Sequence, residues 1–155
     1  MKNIVEKLTK INKTIATMES CTGGGVANAI TNVEGASKVL KFSAVTYSNE
    51  YKIKMGVSKD IIDKYTVYSM ETANEMSKNI SLFANSNYGV GITGQINKID
   101  PANIVDNNNE IYISIYDKDN DKYYNKILLA LNDTRENNKT YIIDNIIKML
   151  EYVIN

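Results

Sequence analysis

Ile4, Leu8 and Ile11 recur at the spacing that gathers apolar side chains on one face of a helix, so a short amphipathic helix is expected over about residues 3–12. The pattern then changes. "KTIATME" (13–19) is a compact run rich in β-branched residues and closed by polar ones, as in a buried strand. A glycine run follows, and "GGVANAITN" resumes the helical spacing with Val26, Ala29 and Ile30 on one side. "VEGAS" is a loop and "VLKFSAVTYS" a second strand; "NEYKIKMGV", closed by Gly56, and "SKDIIDKY" are two short helices. The longest middle helix is expected to begin near Ser69, a good N-cap, with Ala73, Met76, Ile80 and Phe83 along its buried stripe. "NYGVGIT" is a third strand, and "EIYISIYD" and "KYYNKILLAL" form a hairpin around "KDND". A last helix carries a wide apolar face from Ile142 to Val153.

Helices alternating with the early strands require a mainly parallel sheet covered on both faces, while the closing hairpin adds at least one antiparallel strand. The expected fold class is α/β: a three-layer α/β/α single domain with a mixed, mainly parallel sheet of about five strands. No repeat or linker divides the chain, so residues 1–155 read as one domain. In such sheets ligands gather at the carboxyl ends of the strands. Three strand-to-helix turns are expected there: "ESCTGGG", "YSNEYK" and "TGQINK".

Composition narrows the chemistry. Lysine plus arginine balances aspartate plus glutamate at 18 each, so no net field recruits nucleic acid or an anionic membrane. With no histidine, serine–histidine and cysteine–histidine mechanisms are excluded within the chain, and with a single cysteine the usual zinc sites are excluded too. The lone Cys21 rules out an internal disulfide and fits a reducing compartment. No apolar run approaches a bilayer span and the N-terminus does not resemble a signal peptide, so a cytoplasmic location is expected.

The glycines of "ESCTGGG" let backbone approach a ligand, and the following helix would turn free N–H groups toward an anion. No lysine follows them, so this is not a P-loop. A tight turn without a ligand explains the same residues equally well. Ser20 at such a turn needs a base, and without histidine a lysine is the natural one, provided it is neutral. Tyr47 and Lys52 in "TYSNEYK" supply a tyrosine and a lysine, although that spacing arises readily by chance in a lysine- and tyrosine-rich chain. Cys21 is the rival nucleophile, in a cysteine–lysine–glutamate set with Lys52 and Glu19; the plainer role for it is a small buried group. Asp117, Asp119 and Asp121 imitate the start of a calcium loop but lack its glycine and closing glutamate, so a hairpin turn is expected. Arg135, the only arginine, is placed either to bind a phosphate or to meet an acidic neighbour such as Asp133.

Taken in order, "ESCTGG" at Glu19–Gly24, "YSNE" followed by Lys52, "VYSMETA", "GITG" and "NDTR" resemble the C-terminal domain of CinA proteins and the stand-alone nicotinamide-nucleotide amidases called PncC. With no CinA-type N-terminal domain in these residues, the resemblance is to the stand-alone form. It implies hydrolysis of the carboxamide of nicotinamide mononucleotide to nicotinate mononucleotide and ammonia, without metal or other cofactor. It implies Ser20 as nucleophile, Lys52 as its general base, and Tyr47 relaying a proton or orienting the lysine. Thr22, Gly23, Gly24, Asn49, Thr93, Gly94 and Arg135 would contact the substrate, a small pyridine mononucleotide, and a homo-oligomer is expected. One departure stands out. Where the family loop reads roughly T-G-I-A-G-P, this chain keeps Thr93 and Gly94 but continues "QINKIDPANIVDNNN". A domain that keeps the nucleotide pocket while losing efficient turnover is the alternative this loop suggests.

Overall fold

The computed structural model describes residues 1–97, 103 and 109–154. Its elements follow the order α1 (Lys2–Lys10), β1 (Ile15–Glu19), α2 (Gly25–Thr31), β2 (Leu40–Val45), α3 (Asn49–Lys54), α4 (Lys59–Tyr65), α5 (Met70–Ala84), β3 (Tyr88–Gly94), β4 (Glu110–Asp117), β5 (Lys122–Leu129) and α6 (Arg135–Val153). One five-stranded sheet has the spatial order β2-β1-β3-β4-β5. β1 pairs in parallel with both β2 and β3, and the β3–β4 and β4–β5 pairs are antiparallel. Four strands therefore run one way and β4 alone runs against them. The sheet is mixed and mainly parallel in direction, as the sequence requires.

The two faces of the sheet are covered separately, which makes the three layers. On one face Ile15, Val90, Ile92, Ile113 and Ile115 pack with Leu8 of α1, Val26 and Ile30 of α2, and Ile142, Ile146 and Leu150 of α6. On the other, Ala16 and Met18 of β1 meet Met76 and Ile80 of α5. β1 and β3 are buried along their whole length, because a central strand has a helix layer on both sides. The expected start of the middle helix holds: the Ser69 hydroxyl accepts from Thr72 N–H at 3.2 Å. β2 is shorter than the run "VLKFSAVTYS" suggests and stops at Val45, so Thr46 and Tyr47 lie beyond the strand. At the hairpin the Asp117 carboxylate accepts from Asp119 N–H at 3.1 Å and from the Asn120 side-chain amide at 2.8 Å, so it serves the turn.

This topology dictates where a ligand goes. From β1 the chain moves outward to β2, then crosses back over to β3 on the other side of β1. The strand order reverses there, and helices leave β1 and β2 on opposite faces, opening a crevice at the carboxyl ends. Ser20, Thr46 and Gln95 each lie just past one of those three ends.

Candidate active site

β1 ends at Glu19 and the chain turns at once into α2. The turn closes when Ser20 O accepts from Gly23 N–H at 3.0 Å and Thr22 O from Gly25 N–H at 3.2 Å. Gly24 caps the helix at φ +91°, a left-handed conformation open to glycine and strained for a side chain. The Glu19 side chain, 0% exposed, folds beneath this turn. Its carboxylate accepts from the Thr22 hydroxyl at 2.7 Å, from Gly24 and Val26 N–H at 3.1 Å each, and from Ala27 N–H at 2.8 Å. The Thr17 hydroxyl adds a fifth bond at 3.3 Å. The orphan N–H groups at the start of α2 are thus met from within the chain by a charge of the sign they favour. Thr22, Gly23 and Gly24, expected on the substrate, have these groups turned inward: the Thr22 hydroxyl and Gly24 N–H go to Glu19, and Gly23 N–H goes to Ser20 O.

Ser20 N–H donates to Ile92 O at 3.1 Å, extending the β1–β3 ladder by one residue and fixing the serine in the crevice. Lys52 reaches it from α3, whose first turn is capped by the Ser48 hydroxyl accepting from Tyr51 N–H at 3.3 Å. Lys52 is 1% exposed, and its Nζ donates to Thr46 O at 2.7 Å and to Ser20 Oγ at 3.1 Å. Serine and lysine from separate strand ends therefore meet within hydrogen-bond reach, the geometry a nucleophile–base pair requires.

The remaining expected residues divide. Tyr47 faces the same cleft, 61% exposed, but its hydroxyl accepts from Arg135 Nη2 at 2.9 Å. It is oriented by the arginine at the cleft mouth, not by the serine–lysine pair. Arg135 also donates from Nη1 to Ile96 O at 3.0 Å. The Asp133 carboxylate instead accepts from Thr134 N–H at 2.6 Å and the Asn137 side-chain amide at 2.9 Å. Of the two roles open to Arg135 in sequence, facing the cleft is the one its contacts favour. Asn49 donates to Asn103 Oδ1 at 2.6 Å, and Asn103 lines the cleft. Thr93 is buried behind the wall, its hydroxyl donating to Val67 O at 2.9 Å. Gly94 is on the wall itself, where an added Cβ would stand 2.7 Å from Glu110 O, so only glycine lets β3 leave the sheet this close to β4. Most of the departing loop at 94–109 lies outside the described residues.

The cleft encloses about 240 Å³. Arg135 brings positive charge to it, and no carboxylate lines it among the described residues. An anionic group on a ligand is favoured there. Cys21 also borders the cleft, yet burial pushes its thiol up to about 12, with Arg135 and Lys52 offsetting only part of that. A thiol held neutral is a poor nucleophile, so Ser20 is the better placed of the two. Two contributors escaped the sequence reading in their structural roles. Local pattern offers Glu19 only as a partner for Cys21, and it gives Gln95, which lines the cleft, no signal beyond following Thr93–Gly94.

Comparison with known proteins agrees with this architecture. A competence-damage inducible protein of Thermoanaerobacter sp. (strain X514) is 47% identical over 96 residues, which is 61% of this chain and 23% of that protein. A CinA-like protein of Kosmotoga olearia is 47% identical over 92 residues, 59% of this chain and 22% of that protein. The chain thus spans less than a quarter of the length of these relatives. The crystal structure of the competence/damage inducible protein CihA from Agrobacterium tumefaciens superposes with a TM-score of 0.89 at 24% identity, covering 99% of this chain and 92% of that one. A CinA superfamily protein from Klebsiella pneumoniae 700603 gives 0.88 at 18% identity, covering 99% and 94%. At such identities the likeness is one of fold. The family model of the CinA C-terminal domain matches residues 1–154, and the chain belongs to that family.

Proposed function

We propose that this domain hydrolyses the carboxamide of a pyridine mononucleotide, nicotinamide mononucleotide, to the acid and ammonia. The observation that carries the reading is the buried Lys52 Nζ at 3.1 Å from Ser20 Oγ, in a cationic cleft at the point where strand order reverses. In this chemistry the neutral Lys52 amine takes the hydroxyl proton as Ser20 Oγ bonds to the carboxamide carbon. The tetrahedral intermediate collapses with cleavage of its C–N bond, and the lysine ammonium returns the proton to the departing nitrogen, which leaves as ammonia. Water then cleaves the acyl-serine ester to release the nicotinate nucleotide. Because Glu19 occupies the α2 N–H groups, the oxyanion needs another donor. The N–H groups of Cys21 and Thr22 are those left in the turn without a backbone or Glu19 acceptor among the described residues, and Cys21 lines the cleft. Arg135 is the group suited to the substrate phosphate. Self-association is part of the proposal: edge strand β2 carries exposed Phe42, its ring tilted against that of exposed Phe83 of α5, and a second copy would cover them.

The test is ammonia release from nicotinamide mononucleotide. Activity abolished in Ser20→Ala and kept in Cys21→Ala is the expected result; the reverse pattern returns the reaction to the cysteine. A second reading, a nucleotide-binding domain without turnover, draws on the Tyr47 hydroxyl being engaged by Arg135 rather than the dyad. Tight binding of the nucleotide by the unaltered protein with no ammonia formed would establish it.

A further inference from the structure

We propose that Gln95 selects a carboxamide over a carboxylate in the cleft, a role that rests on the amidase reading. Gln95 is 6% exposed and lines the cleft together with Ser20 and Lys52, and its Oε1 has no hydrogen-bond donor among the described residues. A buried amide oxygen without a donor is costly, and native structures keep such groups where a ligand or a working site gives them a use.

The backbone holds this side chain in place from both directions. Gln95 N–H donates to Glu110 O at 3.2 Å, Ile96 O accepts from Arg135 at 3.0 Å, and the preceding Thr93 is tied to Val67 O at 2.9 Å. Its strand is the neighbour of β1, and Ser20 N–H is bonded to Ile92 of that strand at 3.1 Å. The serine and the unfilled amide thus follow the ends of adjacent strands and line one cleft. A pinned backbone bearing an unsatisfied amide is a preorganised recognition element.

The charge of the cleft explains why one is needed. Arg135, with no carboxylate lining the cleft among the described residues, attracts a carboxylate more strongly than a neutral carboxamide. By electrostatics alone the acid product would outcompete its substrate. A primary carboxamide differs from the carboxylate in carrying N–H donors. The Gln95 amide offers an acceptor and a donor side by side, the complement of another carboxamide, and turning it about its terminal torsion aims either end at the ligand. Its oxygen accepts from the substrate –NH₂ and repels a carboxylate oxygen placed there. A site built to bond a group rejects the analogue lacking it far better than shape alone can.

The experiment measures equilibrium binding of nicotinamide mononucleotide and nicotinate mononucleotide to Ser20→Ala, which cannot turn over, alone and combined with Gln95→Met or Gln95→Glu. The ratio of acid to amide dissociation constants is expected to fall about tenfold or more with methionine. It should be kept or raised with glutamate, which retains the acceptor. Gln95→Leu repeats the measurement with a different apolar shape. Methionine should leave the melting temperature of the free protein unchanged or raise it, which a purely structural glutamine would not allow. An unchanged ratio in both apolar variants, with both nucleotides bound, overturns the Gln95 role and leaves the amidase reading standing. Failure of Ser20→Ala to bind either nucleotide overturns the pocket assignment and the Gln95 role with it.

Discussion

The two neighbouring strand ends that form the cleft are finished in opposite ways. At the β1–α2 turn a buried carboxylate fills the helix start with bonds of 2.7–3.1 Å, and the serine that follows it already holds a lysine. At the end of β3 the backbone is equally well fixed, yet the Gln95 side chain is left with an oxygen that nothing answers. At the first end the serine and lysine are already joined without a ligand, as the proposed nucleophile and base require. The second gains its missing bond only when something enters the cleft. On the proposed function, the tight glycine-rich turn would hold the chemistry and the less conspicuous strand end the selectivity.

The strongest way to break this comparison is to remove the reacting pair. Ser20→Ala is expected to lower ammonia release by about 10³-fold or more, and Lys52→Met by a comparable factor, since residues acting as a unit fail together. Steady-state rates of the single and double variants check this, and the double variant should be little worse than either single one. Next comes the carboxylate beneath the turn. Glu19→Ala leaves several buried N–H groups unanswered and is expected to cost about 3 kcal/mol of stability in urea unfolding, with Glu19→Gln losing less because it keeps an acceptor.

Cys21 gives a pH test of how dry the inner wall is. Its thiol ionises ordinarily at 9.0 and burial pushes it up to about 12, so above pH 9 the unfolded chain releases a proton that the folded chain keeps. The thiol's contribution is therefore present below pH 9 and lost as pH rises toward 12, at no more than about 1.4 kcal/mol per pH unit. Cys21→Ala should remove that part of the slope in pH-dependent unfolding. The smallest effect falls at the other end of the cleft. Gln95→Met is expected to be neutral or to stabilise the free protein by up to about 1 kcal/mol in the same urea assay, opposite in sign to Glu19→Ala, because it removes an unanswered polar group.

Much of the fold was legible because burial imposes period. β1 and β3 are buried on both faces and so read as short apolar runs, and Ala73, Met76 and Ile80 are the side of α5 that meets the sheet, whereas Phe83, expected on the same buried stripe, is 65% exposed near the helix end. The Ser69 cap was legible because a short hydroxyl side chain just before a helical stripe has one favourable use. Tyr47 shows the limit. Its place near the cleft followed from its position after β2, but its partner, Arg135, lies 88 residues away in sequence and no local pattern announces it.

The sequence by itself determined the layers, the direction of most strands and the strand ends that meet at the cleft, since these follow from periodicity, turn residues and the handedness of crossovers. Composition alone also excluded a histidine mechanism within these residues and an internal disulfide. Only the tertiary structure decided that the α2 start is already filled by Glu19, that Lys52 is buried against Ser20, and that Gln95 is left with an open acceptor. Each of these is a matter of which polar group answers which across strands distant in sequence, and hydrogen-bond satisfaction is settled by packing in three dimensions rather than by local pattern.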